Sequence, residues 1–178
     1  MRFFHRNEFF VNPFDPTGIH PDTPLAGNQI YHSRSLMLQY ASDRRNKLSF
    51  ISSQNYGSFF DGMKYSFLNK FSYRVQPRLV TSLNLNYDRI ALGNDIPLTK
   101  LWLFGPKFDF SFSKSIFWST NIQFSSQSEN FGFNSRFQWR FNSLSDLYIV
   151  YNDNYFAYEQ LVPRYRSINL KLTYWFFK

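Results

Sequence analysis

The feature that most constrains this chain is the alternation of apolar and polar residues, one by one, through most of its length. The alternation is clearest in residues 130–141, where Phe131, Phe133, Phe137, Trp139 and Phe141 alternate with polar residues and glycine. Successive side chains of a β-strand point to opposite faces, so this period predicts strands with one apolar face and one polar face. No segment carries a helical period, and the sequence therefore predicts an all-β fold without helices.

The pattern predicts nine strands, or ten with a ragged one at the N-terminus, within two regions. Residues 1–30 are interpreted as an irregular N-terminal segment with a long Pro- and Gly-containing loop, and residues 31–178 as the strands. The predicted strands are roughly 10–14 residues long, whereas soluble strands average about 5–6 and a tilted membrane strand needs about 9–11. Connections near residues 43, 77, 114 and 143 look short, and those near 58, 93, 127 and 158 look mostly longer. Outer-membrane barrels have short periplasmic turns and longer outer loops.

Composition supports a membrane location for these strands. Aromatic residues make up 22% of the 178 residues, and charged residues only 18%, against about 25% in soluble domains. No apolar run approaches the ~20 residues of a membrane helix. The sequence predicts an antiparallel up-and-down transmembrane β-barrel of about 9–10 strands, or the C-terminal part of one, in a Gram-negative outer membrane.

The polar face decides which side of the strands meets lipid. It is rich in Asn, Ser, Gln and Thr, whereas a solvated exterior favours Lys and Glu. About five bulky apolar residues per strand would also overfill the lumen of a barrel of ~8–10 strands. We therefore expect the aromatic face to contact lipid and the polar face to point inward. The alternative is a soluble, aromatic-cored β-protein.

Several segments, taken in order, resemble a known family. They are residues 42–50, 103–112, 136–141, 145–153 and 170–176. Together they are similar to the C-terminal β-barrel region of the DUF5916 outer-membrane proteins of Bacteroidota, over about residues 31–178. Those proteins typically carry an N-terminal family-9-like carbohydrate-binding domain, which this sequence does not contain.

The last strand, predicted over residues 167–178, has apolar residues on one face and ends in aromatics. Its Leu170, Leu172, Tyr174 and Phe176 resemble the C-terminal signal that barrel-assembly machinery recognises in its clients. No apolar leader follows Met1, so we expect a fragment, a mature form or a truncated reading frame. The strand that closes against the last one is then expected in an N-terminal part of the same protein.

Catalytic and metal-binding patterns are weak in this sequence. His5, His20 and His32 lack metal-ligand spacing, and the chain has no cysteine. In the run Tyr31-His32-Ser33 the histidine and serine would point to opposite faces of a strand. The acidic residues are scattered, so no catalytic constellation, cofactor or metal is predicted and the enzyme assignment stays open, leaning towards no.

The formal net charge of +8 directs attention to the basic residues. Seven of them fall on the predicted inward face: Lys64, Lys70, Arg74, Lys107, Arg136, Arg140 and Lys171. They predict either a lumen that favours anionic solutes or structural charges that are hydrated or paired with Asp109 and Asp146, and we slightly favour the second. Nucleic acid is not an expected partner, because basic and aromatic residues occupy opposite faces.

The sequence thus predicts an outer-membrane β-barrel with a structural, porin-like transport or anchoring role. Its expected partners are outer-membrane lipid, the barrel-assembly machinery and the N-terminal part of the same protein. The alternative function is a membrane anchor for a surface glycan-binding or hydrolytic module that this chain lacks.

Overall fold

The computed structural model describes residues 1–93, 96–157 and 160–176, and its regular elements are ten β-strands. The strands are β1 (Arg2–Phe10), β2 (Gln29–Ala41), β3 (Leu48–Phe59), β4 (Gly62–Val75), β5 (Leu79–Ala91), β6 (Thr99–Ser111), β7 (Ile116–Ser125), β8 (Asn130–Asn142), β9 (Ser145–Ala157) and β10 (Leu161–Thr173). None of the described residues forms a helix of the length and apolarity that a membrane crossing requires.

The strands form one sheet in which spatial order follows chain order, from β1 to β10. The ladders that join β1 to β2, β2 to β3, and β6 through β10 in succession are antiparallel. The predicted all-β, up-and-down antiparallel architecture is confirmed. Within the described part of the chain, β1 and β10 are each paired on one side only.

The prediction of an irregular segment over residues 1–30 was wrong at both ends, whereas the alternative of a tenth strand at the N-terminus was correct. Residues Arg2–Phe10 form a regular strand with nine partners in β2, from Arg2 opposite Met37 to Phe10 opposite Gln29. β2 also begins at Gln29 rather than at residue 31. A neighbouring strand offers a full ladder of backbone partners, and this outweighs the weak alternation in residues 2–10.

The chain divides into two compact units. The first contains Met1–Ser42, Ile51–Asn69 and Leu85–Trp102, and the second contains Asp43–Phe50, Lys70–Asn84 and Leu103–Lys178. The first unit holds β1, β2 and their connection, and the second holds β7 to β10.

In the second unit, the alternation of the sequence is aligned from strand to strand. One row of directly opposite residues runs through Phe110, Trp118, Phe137, Ile149 and Leu170. Another row runs through Lys107, Asn121, Asn134, Asn152 and Ser167. Opposite residues project to the same side of a sheet. We call the side of the first row the apolar face and the side of the second row the polar face.

The apolar face is uncovered in the described structure. Trp118 is 41% exposed, and on β10 Ile168 and Leu170 are 71% and 68% exposed. The buried hydrophobic residues of the described chain are Leu25, Tyr31 and Ile90, all in the first unit. A monomeric soluble protein rarely exposes a contiguous apolar patch beyond a few hundred Å². This face therefore needs an apolar environment.

The last two strands differ from their predicted limits. The last strand was expected over residues 167–178, but β10 spans Leu161–Thr173, and β9 before it extends to Ala157. The ladder continues because Asp153 lies directly opposite Arg166 and the two side chains form an ion pair. Pro163 is accommodated by an irregularity between Pro163 and Tyr165 in a strand paired on one side only. Residues 177–178 lie outside the described part.

The predicted alternation of short and long connections is only partly correct. The connection between β3 and β4, expected to be longer, consists of Phe60 and Asp61 alone, with Phe60 at a φ of 52°. The side predicted to be the outer one nevertheless carries the longest connection, residues 11–28 between β1 and β2. Ring packing of Phe60 against Phe14 and Tyr31, at 5.0 and 5.3 Å between centroids, holds a turn that glycine would normally occupy.

Candidate functional site

The row from Lys107 to Ser167 forms a band of side-chain amides on the polar face. Asn134 donates to Asn152 Oδ1, and Asn152 donates to Ser167 Oγ at 3.2 Å. We call Asn121, Asn134 and Asn152 the amide row. A small cleft of about 210 Å³ borders it, and its other polar lining is Gln123, Asn130 and Asn154. Each amide carries both a donor and an acceptor, so this band suits a solute whose groups both donate and accept hydrogen bonds.

A larger cleft of about 460 Å³ lies beside the amide row and brings three of the predicted basic residues together. We call it the groove, and its polar lining is Lys107, Asp109, Ser111, Ser119, Asn134, Arg136, Gln138 and Arg140. The ladders from β6 to β8 create it, because Asp109 lies opposite Ser119 and Ser119 lies opposite Arg136. Asn134 lines both clefts, so the groove and the amide row are continuous.

Two of the three basic residues in the groove are paired with carboxylates. Lys107 Nζ lies 3.0 Å from Asp109 Oδ2, and Ser119 Oγ donates to the other oxygen of Asp109 at 2.6 Å. Arg140 Nε lies 3.2 Å from Asp146 Oδ1. The interpretation of these residues as structural charges paired with Asp109 and Asp146 fits this geometry.

Arg136 differs from the other two basic residues of the groove. Its guanidinium lies 5.7 Å from the centroid of the Tyr148 ring, and no carboxylate of the described residues pairs with it. Gln138 donates to the Tyr148 hydroxyl at 2.8 Å and to Asp146 at 3.0 Å, which fixes the ring under Arg136. An aromatic ring attracts the cation without neutralising it, so Arg136 keeps a full positive charge for an anion.

The other predicted basic residues do not join the groove. Lys64, in the first unit, lies 3.0 Å from Asp88 and 5.1 Å from the centroid of the Phe59 ring. Lys70, Arg74 and Lys171 do not line it either. Lys171 is on the polar face of β10, opposite Tyr148.

The residues of the predicted assembly signal lie at the end of β10 and beyond it. Leu170 and Leu172 are exposed on the apolar face, opposite Ile149 and Leu147. Tyr174 follows β10, and its ring stacks on Phe141 at 6.2 Å between centroids and contacts Phe176 at 4.5 Å. Recognition of these residues by assembly machinery stays a prediction.

The sequence interpretation missed a polar cluster on the apolar face. Asp153, which is 5% exposed, accepts hydrogen bonds from Tyr151 and Tyr155 at 2.6 and 2.8 Å and from Arg166 at 3.0 Å. All these donors use Oδ2, and Oδ1 has no partner among the described atoms. The sequence did contain a signal for this cluster. Tyr151 and Tyr155 lie two residues before and two residues after Asp153, and this spacing places all three side chains on one face of a strand.

A second missed feature is the order within the connection between β1 and β2. Asp15 accepts hydrogen bonds from the Thr17 amide and hydroxyl at 2.7 and 2.6 Å and from the His20 amide at 2.6 Å. Burial raises the pKa of Asp15, but these bonds and one from the Gly18 amide outweigh it and hold the pKa below its usual value. The short spacing from Asp15 to Thr17 is typical of an Asx turn.

Two of the three histidines have hydrogen-bonding partners. His20 Nε2 lies 3.0 Å from the hydroxyl of Thr99, and His32 Nδ1 lies 2.7 Å from Asn7 Oδ1. No group of three metal-ligating side chains occurs in the described ranges.

Comparisons with known proteins add little to this geometry. No family model matches the chain, and no curated protein does. A solved structure titled "KdgM porin in complex with disordered oligogalacturonate" is similar at 10% identity with a TM-score of 0.40, over 85% of this chain and 82% of that one. Such a score carries no argument about function. The resemblance to DUF5916 proteins stays a prediction.

Proposed function

We propose that this chain forms part or all of an outer-membrane β-barrel whose polar face lines a water-filled passage for hydrophilic solutes. The observation that carries the proposal is the pair of rows across β6 to β10. One row is apolar, with Trp118 and Leu170 exposed and its other three members half-buried, and the other row, on the opposite face, consists of amides, a hydroxyl and a lysine. Alternation of this kind is typical of strands with lipid on one side and water on the other.

Strand length supports the same proposal. The strands of the second unit from β7 to β10 contain 10, 13, 13 and 13 residues, and a tilted strand needs about 9–11 to cross the hydrocarbon core. A soluble aromatic-cored protein would instead bury the row from Phe110 to Leu170 in a core.

Site-directed spin labelling tests which face meets lipid. The chain has no cysteine, so Leu170→Cys and Asn169→Cys each introduce a unique attachment site at adjacent positions. In lipid vesicles, we expect a nitroxide at position 170 to be relaxed by dissolved oxygen and one at position 169 by a water-soluble nickel complex. Shielding of position 170 from both reagents, or a chain that is monodisperse without detergent, would contradict the proposal.

Conductance in planar bilayers tests the passage separately. We expect ion-conducting channels, with an anion preference that falls in the double variant Arg136→Ser with Arg140→Ser, because the groove loses two positive charges. Spin labels that report lipid contact without any conductance would favour the anchoring alternative. Unchanged ion selectivity in the double variant would remove the groove from the solute path.

A further inference from the structure

Counted over the described residues and their ion-pair partners, the groove has one positive charge more than it has negative charges. Its cations are Lys107, Arg136 and Arg140, and its carboxylates are Asp109 and the Arg140 partner Asp146. The surplus is at Arg136, whose neighbour is an aromatic ring. A ligand with closely spaced phosphates would call for several uncompensated cations, so this balance fits a ligand with isolated negative charges.

The carboxylate is the anion that suits Arg136 best. A guanidinium presents donors in a planar fork that matches the two oxygens of a carboxylate, and such bidentate pairs are strong. Lys107 lines the same groove, and its side chain is 46% exposed and therefore accessible to the same ligand. Its ion pair with Asp109 is exposed, and exposed pairs contribute little to stability, so a ligand can displace it.

The rest of the ligand is defined by the amide row. Asn134 is two residues from Arg136 on the same face of β8, which corresponds to about 6.4–6.8 Å along a strand. The side-chain amides of Asn121, Gln123 and Asn130 line the adjoining cleft and have no hydrogen-bond partner among the residues that the structure describes. Each of these amides can donate and accept hydrogen bonds, and sugar hydroxyls can do both as well, so the two kinds of group are complementary.

From these two observations we propose that the groove and the amide row together bind an acidic carbohydrate. Arg136 holds a uronate carboxylate, and the amides of Asn121 and Asn134 bind hydroxyls of the same or the next sugar ring. The inference rests on the proposed function, because it identifies the solute class that enters the passage. Binding itself does not require transport and can be measured in detergent micelles.

Isothermal titration calorimetry on the full chain in micelles tests this inference. The probes are a mannuronate hexasaccharide, the neutral mannose hexasaccharide and sodium acetate. We expect the mannuronate probe to bind at least tenfold more tightly than either of the others. Arg136→Gln should weaken binding of the mannuronate probe at least tenfold. Arg136→Lys should weaken it less, because lysine keeps the positive charge although it lacks the planar fork of guanidinium donors. The matched control Lys114→Gln removes one positive charge from the turn after β6 and should leave binding unchanged.

Several outcomes would overturn the inference. Equal binding of the mannose probe would show that the carboxylate is not recognised, and equal binding of acetate would reduce the groove to a general anion site. An equal loss of affinity for the mannuronate probe in Arg136→Gln and Lys114→Gln would show that binding depends only on the net charge of the protein. If spin labels confirm lipid contact while the mannuronate probe fails to bind, this inference is lost and the proposed function stands; if lipid contact fails, the proposed function is lost whatever the calorimetry shows.

Discussion

At the scale of single residues, Gly57 is fixed by the close approach of β2 and β3. A Cβ at this position would lie 2.1 Å from the carbonyl oxygen of Arg34 and 2.4 Å from the Cα of Ser35. Both neighbours are backbone atoms of the paired strand and cannot rotate away. Gly57 therefore serves strand pairing rather than turn formation.

We expect Gly57→Ala to destabilise the fold by about 1–3 kcal/mol, the usual cost of overpacking. The measurement is the urea dependence of tryptophan fluorescence for the protein folded into lipid vesicles. Gly105→Ala is the matched control, because a Cβ there would meet nothing closer than 3.7 Å. Equal loss of stability in the two variants would show that the contact with β2 is not the cause.

The Asp153 cluster gives a second prediction at this scale. Asp153→Asn removes the charge that pairs with Arg166 and leaves a weaker acceptor for the two tyrosines, so we expect a lower urea midpoint and faster hydrogen exchange of the amides of β10. Asp109→Asn is the control, because the Lys107–Asp109 pair is exposed and such pairs contribute little. If amide hydrogen exchange in β10 is unchanged in Asp153→Asn, Asp153 does not stabilise the pairing of β10 with β9.

At the scale of elements, the connection of residues 11–28 is a folded segment. Phe14 stacks on Phe10 at 4.0 Å between ring centroids, and Leu25 forms a bridge with Phe14. Thr17 and Leu25 are buried. The prolines and glycines correctly predicted a connection, but the packing of Phe14 follows from the positions of Phe10, Tyr31 and Phe60 in the fold.

Acidification should loosen this connection through Asp15. Because folding lowers its pKa, the carboxylate contributes stability that is fully present above the unfolded pKa of about 3.9. That stability is lost as the pH falls through the lower folded pKa. We expect the amides of Thr17 and His20 to lose hydrogen-exchange protection in this acidic range.

The variant Asp15→Asn should show the same loss already at neutral pH, because its amide is a weaker acceptor than the carboxylate. Asp22→Asn, at an exposed position of the same connection, should keep the protection of the parent protein. Protection of Thr17 that is independent of pH in the parent protein would contradict a role for the Asp15 charge.

At the scale of the whole molecule, the orientation of the two faces has a thermodynamic consequence. Leu170 lies on the apolar face of β10, opposite Ile149, and Asn169 lies beside it on the polar face. We expect Leu170→Lys to cost about 2–4 kcal/mol, as a lysine does near the bilayer midplane, and Asn169→Lys to cost much less.

Reversible urea titration from lipid vesicles measures this difference. Titration of the same two variants in detergent micelles shows whether the difference between their stabilities depends on a bilayer. A larger loss for Asn169→Lys than for Leu170→Lys would reverse the assignment of the faces.

The sequence by itself determined the strand type, the approximate strand number and the two faces. These properties follow from local geometry, because a period of two is written into each segment independently of its neighbours. Leu170 and Asn169 could therefore be assigned to opposite faces without any knowledge of β9. The grouping of Arg136 with Arg140 on one face of β8 was predictable for the same reason.

Only the tertiary structure decided which residues from different strands meet. Register fixed the row from Lys107 to Ser167 and paired Asp153 with Arg166. It also placed Arg136 over Tyr148, with no carboxylate partner in the described part of the chain. Register and pairing depend on contacts between segments distant in the chain, and no local pattern records them. Residues 2–10 show the same limit, since their weak alternation became a full strand once β2 supplied nine partners.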